Sequence, residues 1–240
     1  MGSKNSKIRK TLIFISSFLL IIIIFFTPLA YYIFNLDYYK NLYEINGVFS
    51  VLNKDDVLNV TVKIHDFFKY RSGLDPSDYD IRVRYSDENK SVTALFTPDE
   101  ISHLADVRSL LTKIFILYFF SIILFIVTAF FIIKSDTDDF YKNLGIIFTI
   151  SSSSILFVIA VLYLLGNNFP VLFENFHLLF FPQGNYSFPG GSLIITIFPF
   201  GFFYDFFIRI IVSSAVISAV MLVTGIALIC TFKLRKKRKI

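Results

Sequence analysis

The chain has 240 residues, is 55% hydrophobic and contains 31 Phe, which makes it more apolar than soluble domains of this length usually are. Its formal net charge is +5, with basic residues clustered at the two ends, so the charge does not indicate a nucleic-acid-binding surface. The single Cys230 excludes an intramolecular disulfide.

Four uncharged stretches are each long enough to cross about 30 Å of hydrocarbon. They comprise residues 11–34, 114–133, 144–165 and 210–232. The first follows a basic segment, as the apolar part of a signal peptide would. Its apolar run is longer than that of a cleaved signal, and no small-x-small site follows it. We therefore predict that residues 1–34 form a basic N-terminus and a retained first span.

Basic residues flank the first and last spans, and positive charge marks the cytoplasmic side of a membrane protein. Because the number of spans is even, both termini are predicted to be cytoplasmic, including the tail 233–240. The loop 134–143 is then cytoplasmic as well, whereas residues 35–113 and 166–209 lie outside. The sequence predicts a multi-pass protein of the plasma membrane with its site on the outer face.

Residues 35–113 are the one sizeable polar segment, and we expect a small extracytoplasmic α+β domain there. Apolar residues at helical spacing predict a helix over 57–70. Alternating residues at 81–85 and 92–96, separated by a polar stretch, predict a short hairpin. His65 and Asp66 lie in the predicted helix, where we expect a surface pair.

A helix start is predicted just before the second span. Thr97, Pro98 and Glu100 match the N-cap, first and third positions of a capping box. The helix that follows carries Glu100, His103 and Asp106, and we expect it to continue directly into the second span.

The outer loop 166–209 is rich in Phe and is interrupted by four Pro residues. It is too apolar for a solvated loop and too interrupted for a span. We predict an interfacial helix over 170–181 and a partly buried return, because irregular backbone at membrane depth must be covered by protein or line a wet cavity. The predicted fold is thus an α-helical integral membrane protein with four transmembrane helices, a small outer α+β domain and an apolar interfacial loop.

Two histidines are the candidates for chemistry, and each has a carboxylate three residues before it. Glu100, His103 and Asp106 share one helix face, and Glu174 precedes His177 on the interfacial helix. A carboxylate within reach of an imidazole orients it and raises its basicity. The alternative for the first group is an acidic helix start with an incidental histidine. For the second group, burying Glu174 and His177 among Phe and Leu residues is costly unless they pair.

A zinc site is another use for two histidines and nearby carboxylates. The chain has no H-E-x-x-H motif, and it also has no nucleotide-binding glycine pattern or nucleophile elbow. We expect neither a metal nor another cofactor.

The two histidine segments resemble the four-span family that includes the bacterial lipoprotein intramolecular transacylase. The matching blocks run from residue 96 to 110, around His103, and from 173 to 185, around His177, and the likeness continues to 193–194 and 198–205. The chain differs from the family pattern in having Tyr186 in place of a Trp. It also lacks two acidic residues of the pattern, having Gly190, Gly191 and Ser192 at one place and Phe200 at the other.

The resemblance implies transfer of a fatty acyl chain from the diacylglyceryl group of a lipoprotein to the amine of its first Cys. It also implies that His103 and His177 form the catalytic pair, with membrane lipids and a lipoprotein as partners. Glu100, Asp106, Glu174, Asn185 and Tyr186 are the predicted supporting residues, and we consider Asn185 or Tyr186 as an oxyanion donor. The alternative is a non-catalytic membrane protein whose outer domain binds a lipid, a glycan or a partner protein.

Overall fold

A computed structural model describes residues 2–69, 82–86, 93–94, 96–135 and 139–237. Within these ranges the chain is almost entirely helical, with one short strand pair. The helices are α1 Gly2–Tyr32, α2 Leu36–Ile45, α3 Val48–Val51, α4 Lys54–Lys69, α5 Pro98–Ser135, α6 Phe140–Gly166, α7 Phe169–Phe180, α8 Leu193–Ile197 and α9 Phe200–Lys237. The strands are β1 Arg82–Val83 and β2 Thr93–Ala94.

Four helices are long and apolar enough to cross a membrane. These candidate spans are Lys7–Tyr32, Pro98–Lys134, Phe140–Gly166 and Phe200–Lys237. They overlap the four predicted spans, so the prediction of a multi-pass α-helical membrane protein is confirmed. Helix α5 begins well before the span predicted at 114–133, since the capped helix continues into it without a break. Helix α9 begins directly after Pro199, ten residues before the predicted start.

The chain divides into two units, which are described separately. The span unit contains Met1–Ala30, Phe115–Asn167 and Ile210–Ile240. Helices α6 and α9 approach closely at two glycines, because a Cβ atom on Gly145 would lie 2.8 Å from the carbonyl oxygen of Gly225. Ser16 Oγ donates to Thr128 Oγ1 at 2.8 Å and links α1 to α5. Small residues and interhelical hydroxyl bonds are how membrane helices pack without a hydrophobic driving force between them.

The site unit contains Tyr31–Ile114 and Asn168–Arg209 and has an apolar core of its own. Helix α2 buries Tyr39, Leu42 and Tyr43, whose spacing places them on one face. Phe202, at the start of α9, stacks on Tyr43 with ring centroids 5.5 Å apart. Helix α4 contributes a second buried face, formed by Val57, Val60, Ile64 and Phe67.

The predicted outer α+β domain is not supported. Described residues between 35 and 113 form helices α2 to α4, the start of α5 and one antiparallel pair, in which Arg82 faces Ala94 and Val83 faces Thr93. The helices contribute most of the buried apolar side chains, so the core of this unit does not depend on a larger sheet. The polar stretch predicted to connect the hairpin lies outside the described residues, apart from Ser86.

Helix α4 differs from its prediction at the start and in the place of its histidine. It begins at Lys54 because the Asn53 side chain accepts the backbone N–H groups of Asp55 and Asp56, each at 3.2 Å. The predicted surface position of His65 is wrong, since only 3% of this residue is exposed. Its ring packs edge-on against Tyr39, with centroids 4.6 Å apart. The helix face that carries the core therefore includes His65.

Candidate functional site

The first turn of α5 positions His103. The Glu100 side chain accepts the backbone N–H of Thr97, and Thr97 Oγ1 accepts the backbone N–H of Glu100 at 3.3 Å. The predicted capping box is confirmed, with Pro98 as the first helical residue. His103 follows one turn after Glu100 and is buried, with 8% of its surface exposed.

Helix α7 positions His177 and orients its ring. The helix spans Phe169–Phe180, close to the predicted 170–181, with Pro170 in its first turn. His177 Nδ1 lies 2.7 Å from the carbonyl oxygen of Phe173, one turn earlier. Because a carbonyl only accepts, Nδ1 carries the hydrogen, and in the neutral ring Nε2 keeps the lone pair.

The two imidazoles lie side by side, although their residues are far apart in sequence. The ring centroids of His103 and His177 are 5.9 Å apart, with an interplanar angle of 24°. Phe181 contacts both, with its centroid 5.0 Å from His103 and 5.6 Å from His177. The family resemblance implies that these two histidines form a pair, and the structure does bring them together.

In each imidazole, Nδ1 is either enclosed or already hydrogen-bonded. His103 Nδ1 is buried and has no hydrogen-bond partner in the described part of the chain. His177 Nδ1 is bound to Phe173. In both histidines Nε2 is the remaining ring nitrogen.

The predicted pairing of Glu100 with His103 is not observed. The Glu100 carboxylate is 1% exposed, and beside Thr97 it accepts the backbone N–H of Ile194 at 2.9 Å. It therefore caps the starts of two helices, α5 and α8.

Asp106 binds the loop that follows α7 rather than an imidazole. Its Oδ2 accepts from Gln183 Nε2 at 2.7 Å and from Asn185 Nδ2 at 2.6 Å. The Asn185 amide also donates to Ser102 Oγ at 3.2 Å. Both amide hydrogens of Asn185 are thus in use, which leaves no donor for an oxyanion in this arrangement.

Glu174 is exposed, contrary to the expectation that it is buried with His177. Its Oε1 accepts the hydroxyl of Tyr186 at 3.1 Å, while the Tyr186 ring lies 4.9 Å from that of His177. Helical spacing brings Glu174 and His177 to adjacent turns, but the imidazole is satisfied by the Phe173 carbonyl instead. Tyr186 therefore links this carboxylate to the site through its ring and its hydroxyl.

Other residues of this region were not predicted as part of the site. Gln183 donates to Asp106, the backbone N–H of Ile194 donates to Glu100, and Phe188 contacts His103 with centroids 5.6 Å apart. A signal for the first exists, because Gln183-Gly184-Asn185 is a polar island in a Phe-rich segment. Gly184 has φ +81°, the left-handed conformation that a turn between two polar side chains needs. The described residues include no cluster of three or more His, Cys, Asp or Glu that could hold a metal ion.

The family model of the lipoprotein intramolecular transacylase Lit matches residues 11–203. No curated protein matches the chain. In a crystal structure, the membrane-integral Lit from Bacillus cereus is 17% identical, with a TM-score of 0.68, and the match covers 98% of this chain and 100% of that one.

A variant of the same Bacillus cereus protein, with one histidine replaced by alanine, also has a TM-score of 0.68. It is 18% identical, with 98% of this chain and 97% of that chain covered. At such identities the structural likeness shows the fold alone. The family match is independent of it and extends over most of the sequence. The chain therefore belongs to the lipoprotein intramolecular transacylase Lit family.

Proposed function

We propose that the protein is a membrane acyltransferase in which His103 and His177 form the acid–base pair. The acyl chain moves from the diacylglyceryl group on the first Cys of a lipoprotein to the amine of that Cys. The observation that carries this proposal is the stacking of the two imidazoles, 5.9 Å apart, in an aromatic surround. Family membership supports the reaction class.

The transfer needs two proton movements. The amine nitrogen attacks the ester carbonyl carbon, the new C–N bond forms, and the bond from that carbon to the glycerol oxygen breaks. A base takes a proton from the nitrogen, and an acid returns one to the departing oxygen, so the reaction is balanced without another reactant. Donor and acceptor belong to one molecule, so the site mainly has to hold them in attack geometry.

The hydrogen bonds favour different roles for the two rings. Nδ1 of His177 donates to the Phe173 carbonyl, so its Nε2 is available as the base. In His103 the enclosed Nδ1 has no partner among the described residues. An unpaired buried N–H is rarer in proteins than an unpaired acceptor, which favours the hydrogen on Nε2 of His103. His103 then donates this hydrogen to the departing glycerol oxygen, and the proton that His177 took from the amine passes to His103 in its place, so that both rings end neutral.

The proposed topology places both termini in the cytoplasm and the segments 35–113 and 166–209 outside. Basic residues at both ends and the even number of candidate spans support it. Arg9 Nη1 also lies 3.3 Å from Asp139 Oδ2, and the Lys142 ammonium lies 5.5 Å from the centre of the Phe232 ring. These contacts gather the N-terminus, the 134–143 loop and the end of α9 at one end of the span unit.

Cysteine labelling tests this topology in a Cys230→Ser background. Asp99 and Lys233 are both exposed, so a Cys at either position is accessible to a membrane-impermeant maleimide. We expect Asp99→Cys to react in intact cells and Lys233→Cys to react only after permeabilisation. The reverse pattern refutes the proposed orientation.

Mass spectrometry of a co-expressed diacylated lipoprotein tests the activity. We expect the unaltered enzyme to move one acyl group of the lipoprotein from glycerol to the amine. This transfer changes the fragmentation pattern of the lipoprotein but not its total mass. His103→Gln and His177→Gln should each lower the rate by about 10²- to 10⁴-fold while the protein accumulates normally. A lipoprotein whose amine stays unmodified in the presence of the unaltered enzyme would favour the alternative, a non-catalytic protein that binds a lipid or a partner.

A further inference from the structure

The loop of residues 181–192 joins α7 to α8 and is tied to α5 at two places. Near its start, Gln183 and Asn185 donate to the same oxygen of Asp106, at 2.7 and 2.6 Å. Just beyond its end, the backbone N–H of Ile194 donates to Glu100. The anchoring carboxylates lie three residues before and three residues after His103, so the loop is held on both sides of that imidazole.

This loop supplies three of the aromatic rings that surround the histidines, while Phe173 and Phe176 of α7 also contact His177. Phe181 contacts both imidazoles, Phe188 contacts His103, and Tyr186 contacts His177. His103 and His177 each retain only 8% exposure. Part of the burial of the imidazoles, and most of that of His103, therefore depends on where this loop lies.

The hydrogen bond from Asn185 to Asp106 has an energetic cost, because it leaves the other polar atom of the Asn185 amide without a partner among the described residues. Asn185 Oδ1 is buried and has no hydrogen-bond partner in the described part of the chain. A buried unpaired carbonyl favours release of the amide to solvent. Two hydrogen bonds to one ionised oxygen act in the other direction and are stronger than neutral ones. The carboxylate of Asp106 is thus the group that keeps this end of the loop in place.

We propose that Asp106 is a positioning residue that decides the product by holding the 181–192 loop over the two imidazoles. With the loop held, the amine is the nucleophile that reaches the ester. With the loop released, water competes, and part of the acyl chain leaves as free fatty acid. The effect on the product rests on the function proposed above, whereas the claim that Asp106 holds the loop does not.

The competing reaction uses the same base. A water oxygen attacks the ester carbonyl carbon, the bond from that carbon to the glycerol oxygen breaks, and a proton of the water passes to the glycerol oxygen. The products are a free fatty acid and a monoacyl lipoprotein. Since an imidazole that activates an amine also activates water, exclusion of water favours the amide product.

Three variants of the full chain, purified in lipid nanodiscs, test the inference. Asp106→Ala removes the acceptor. The double variant Gln183→Ala/Asn185→Ala removes the donors and leaves the Asp106 charge in place. Asp99→Ala is the matched control, because Asp99 is exposed in the first turn of the same helix. An effect that comes from the Asp106 charge acting directly on His103 would appear in the first variant and not in the second.

Two readouts are needed. The first is the ratio of free fatty acid to N-acylated lipoprotein with a diacylated lipoprotein as substrate. The second is the rate at which diethyl pyrocarbonate modifies His103 and His177, followed by peptide mass spectrometry. His65, buried against Tyr39, serves as an internal reference for the second readout.

We expect both readouts to rise about tenfold in Asp106→Ala and in the double variant, as for loss of a charge-assisted hydrogen bond. Asp99→Ala should match the unaltered chain, and His65 should stay slow throughout. Unchanged product ratios and unchanged modification rates in an N-acylating chain would overturn the inference and leave the proposed function intact. If the protein forms neither product, the proposed function and the effect of Asp106 on the product are refuted. If its histidines nevertheless become more reactive in the Asp106→Ala and double variants, the claim that Asp106 holds the loop stands.

Discussion

The three histidines of the chain occupy two contrasting environments in the site unit. His65 is buried on α4 between the rings of Phe34 and Tyr39, and its Nε2 has no hydrogen-bond partner among the described residues. His103 and His177 are also buried among aromatic rings, but they stack on each other, and the His177 ring is oriented by a carbonyl. Burial alone therefore does not mark a functional histidine. Pairing and orientation distinguish the candidate site from a histidine used as a core side chain.

Replacing each histidine by phenylalanine should separate the two environments most strongly. Phenylalanine keeps the ring volume and removes the proton-transfer nitrogens. We expect His103→Phe and His177→Phe to lower the N-acylation rate by about 10²- to 10⁴-fold. His65→Phe should keep the rate of the unaltered chain. The measurement is mass spectrometry of the lipoprotein at equal amounts of folded enzyme. Equal loss in all three variants would remove the distinction.

Shortening His65 should affect the stability of the protein, although the activity is left unchanged. His65→Ala leaves a cavity beside Tyr39 and Phe34, so we expect a loss of about 2–4 kcal/mol in the free energy of unfolding. His65→Phe fills the same space and removes an unpaired buried nitrogen, so its stability should stay close to that of the unaltered chain. Thermal melting in detergent measures both variants. A His65→Ala variant that melts normally would show that this position is not part of the core.

Acidification should destabilise the site unit through His65. Burial, together with nearby Lys69, lowers the pKa of His65 from 6.5 to about 4, an effect that Asp66 partly opposes. Below pH 6.5 the unfolded chain takes up a proton that the folded chain refuses, so stability falls as the pH decreases to about 4. At about 1.4 kcal/mol per pH unit over this interval, the loss is at most about 3.5 kcal/mol.

The His65→Phe variant isolates this contribution, because all other acid-sensitive groups remain, including the ion pair of Asp56 with Arg84. Melting temperatures of both proteins should be compared from pH 7.5 to pH 4. We expect the variant to lose less stability over that range. Parallel curves would mean that His65 titrates alike in the folded and unfolded states.

Removing the Tyr186 hydroxyl should have the smallest effect. The hydroxyl donates to exposed Glu174, whereas the ring packs on His177. Tyr186→Phe keeps the ring, and exposed polar contacts contribute little, so we expect the N-acylation rate to change by at most about twofold. A loss comparable to that of His177→Phe would place the hydroxyl in the proton transfer.

Local patterns in the sequence were sufficient to predict several elements. The four spans follow from uninterrupted apolar runs, and the start of α5 follows from Thr97, Pro98 and Glu100. Helix α7 follows from its proline start and its apolar composition. Each depends on interactions within a few residues along the chain, or on a length of hydrocarbon to be crossed. The repeated carboxylate-x-x-histidine spacing also drew attention to His103 and His177, which the structure places side by side.

The partners of the polar side chains were decided only by the tertiary structure. Glu100 binds a residue 94 positions away, and Asp106 binds residues 77 and 79 positions away. The sequence predicted carboxylate–imidazole pairs at these places, because helical spacing alone brings such groups into proximity. In the structure, the side-chain amides of the 181–192 loop bind Asp106 and the backbone N–H of Ile194 binds Glu100, so these carboxylates do not pair with the imidazoles. His65 shows the same limit, since a polar residue beside Asp66 resembles a surface position until Phe34 and Tyr39 enclose it.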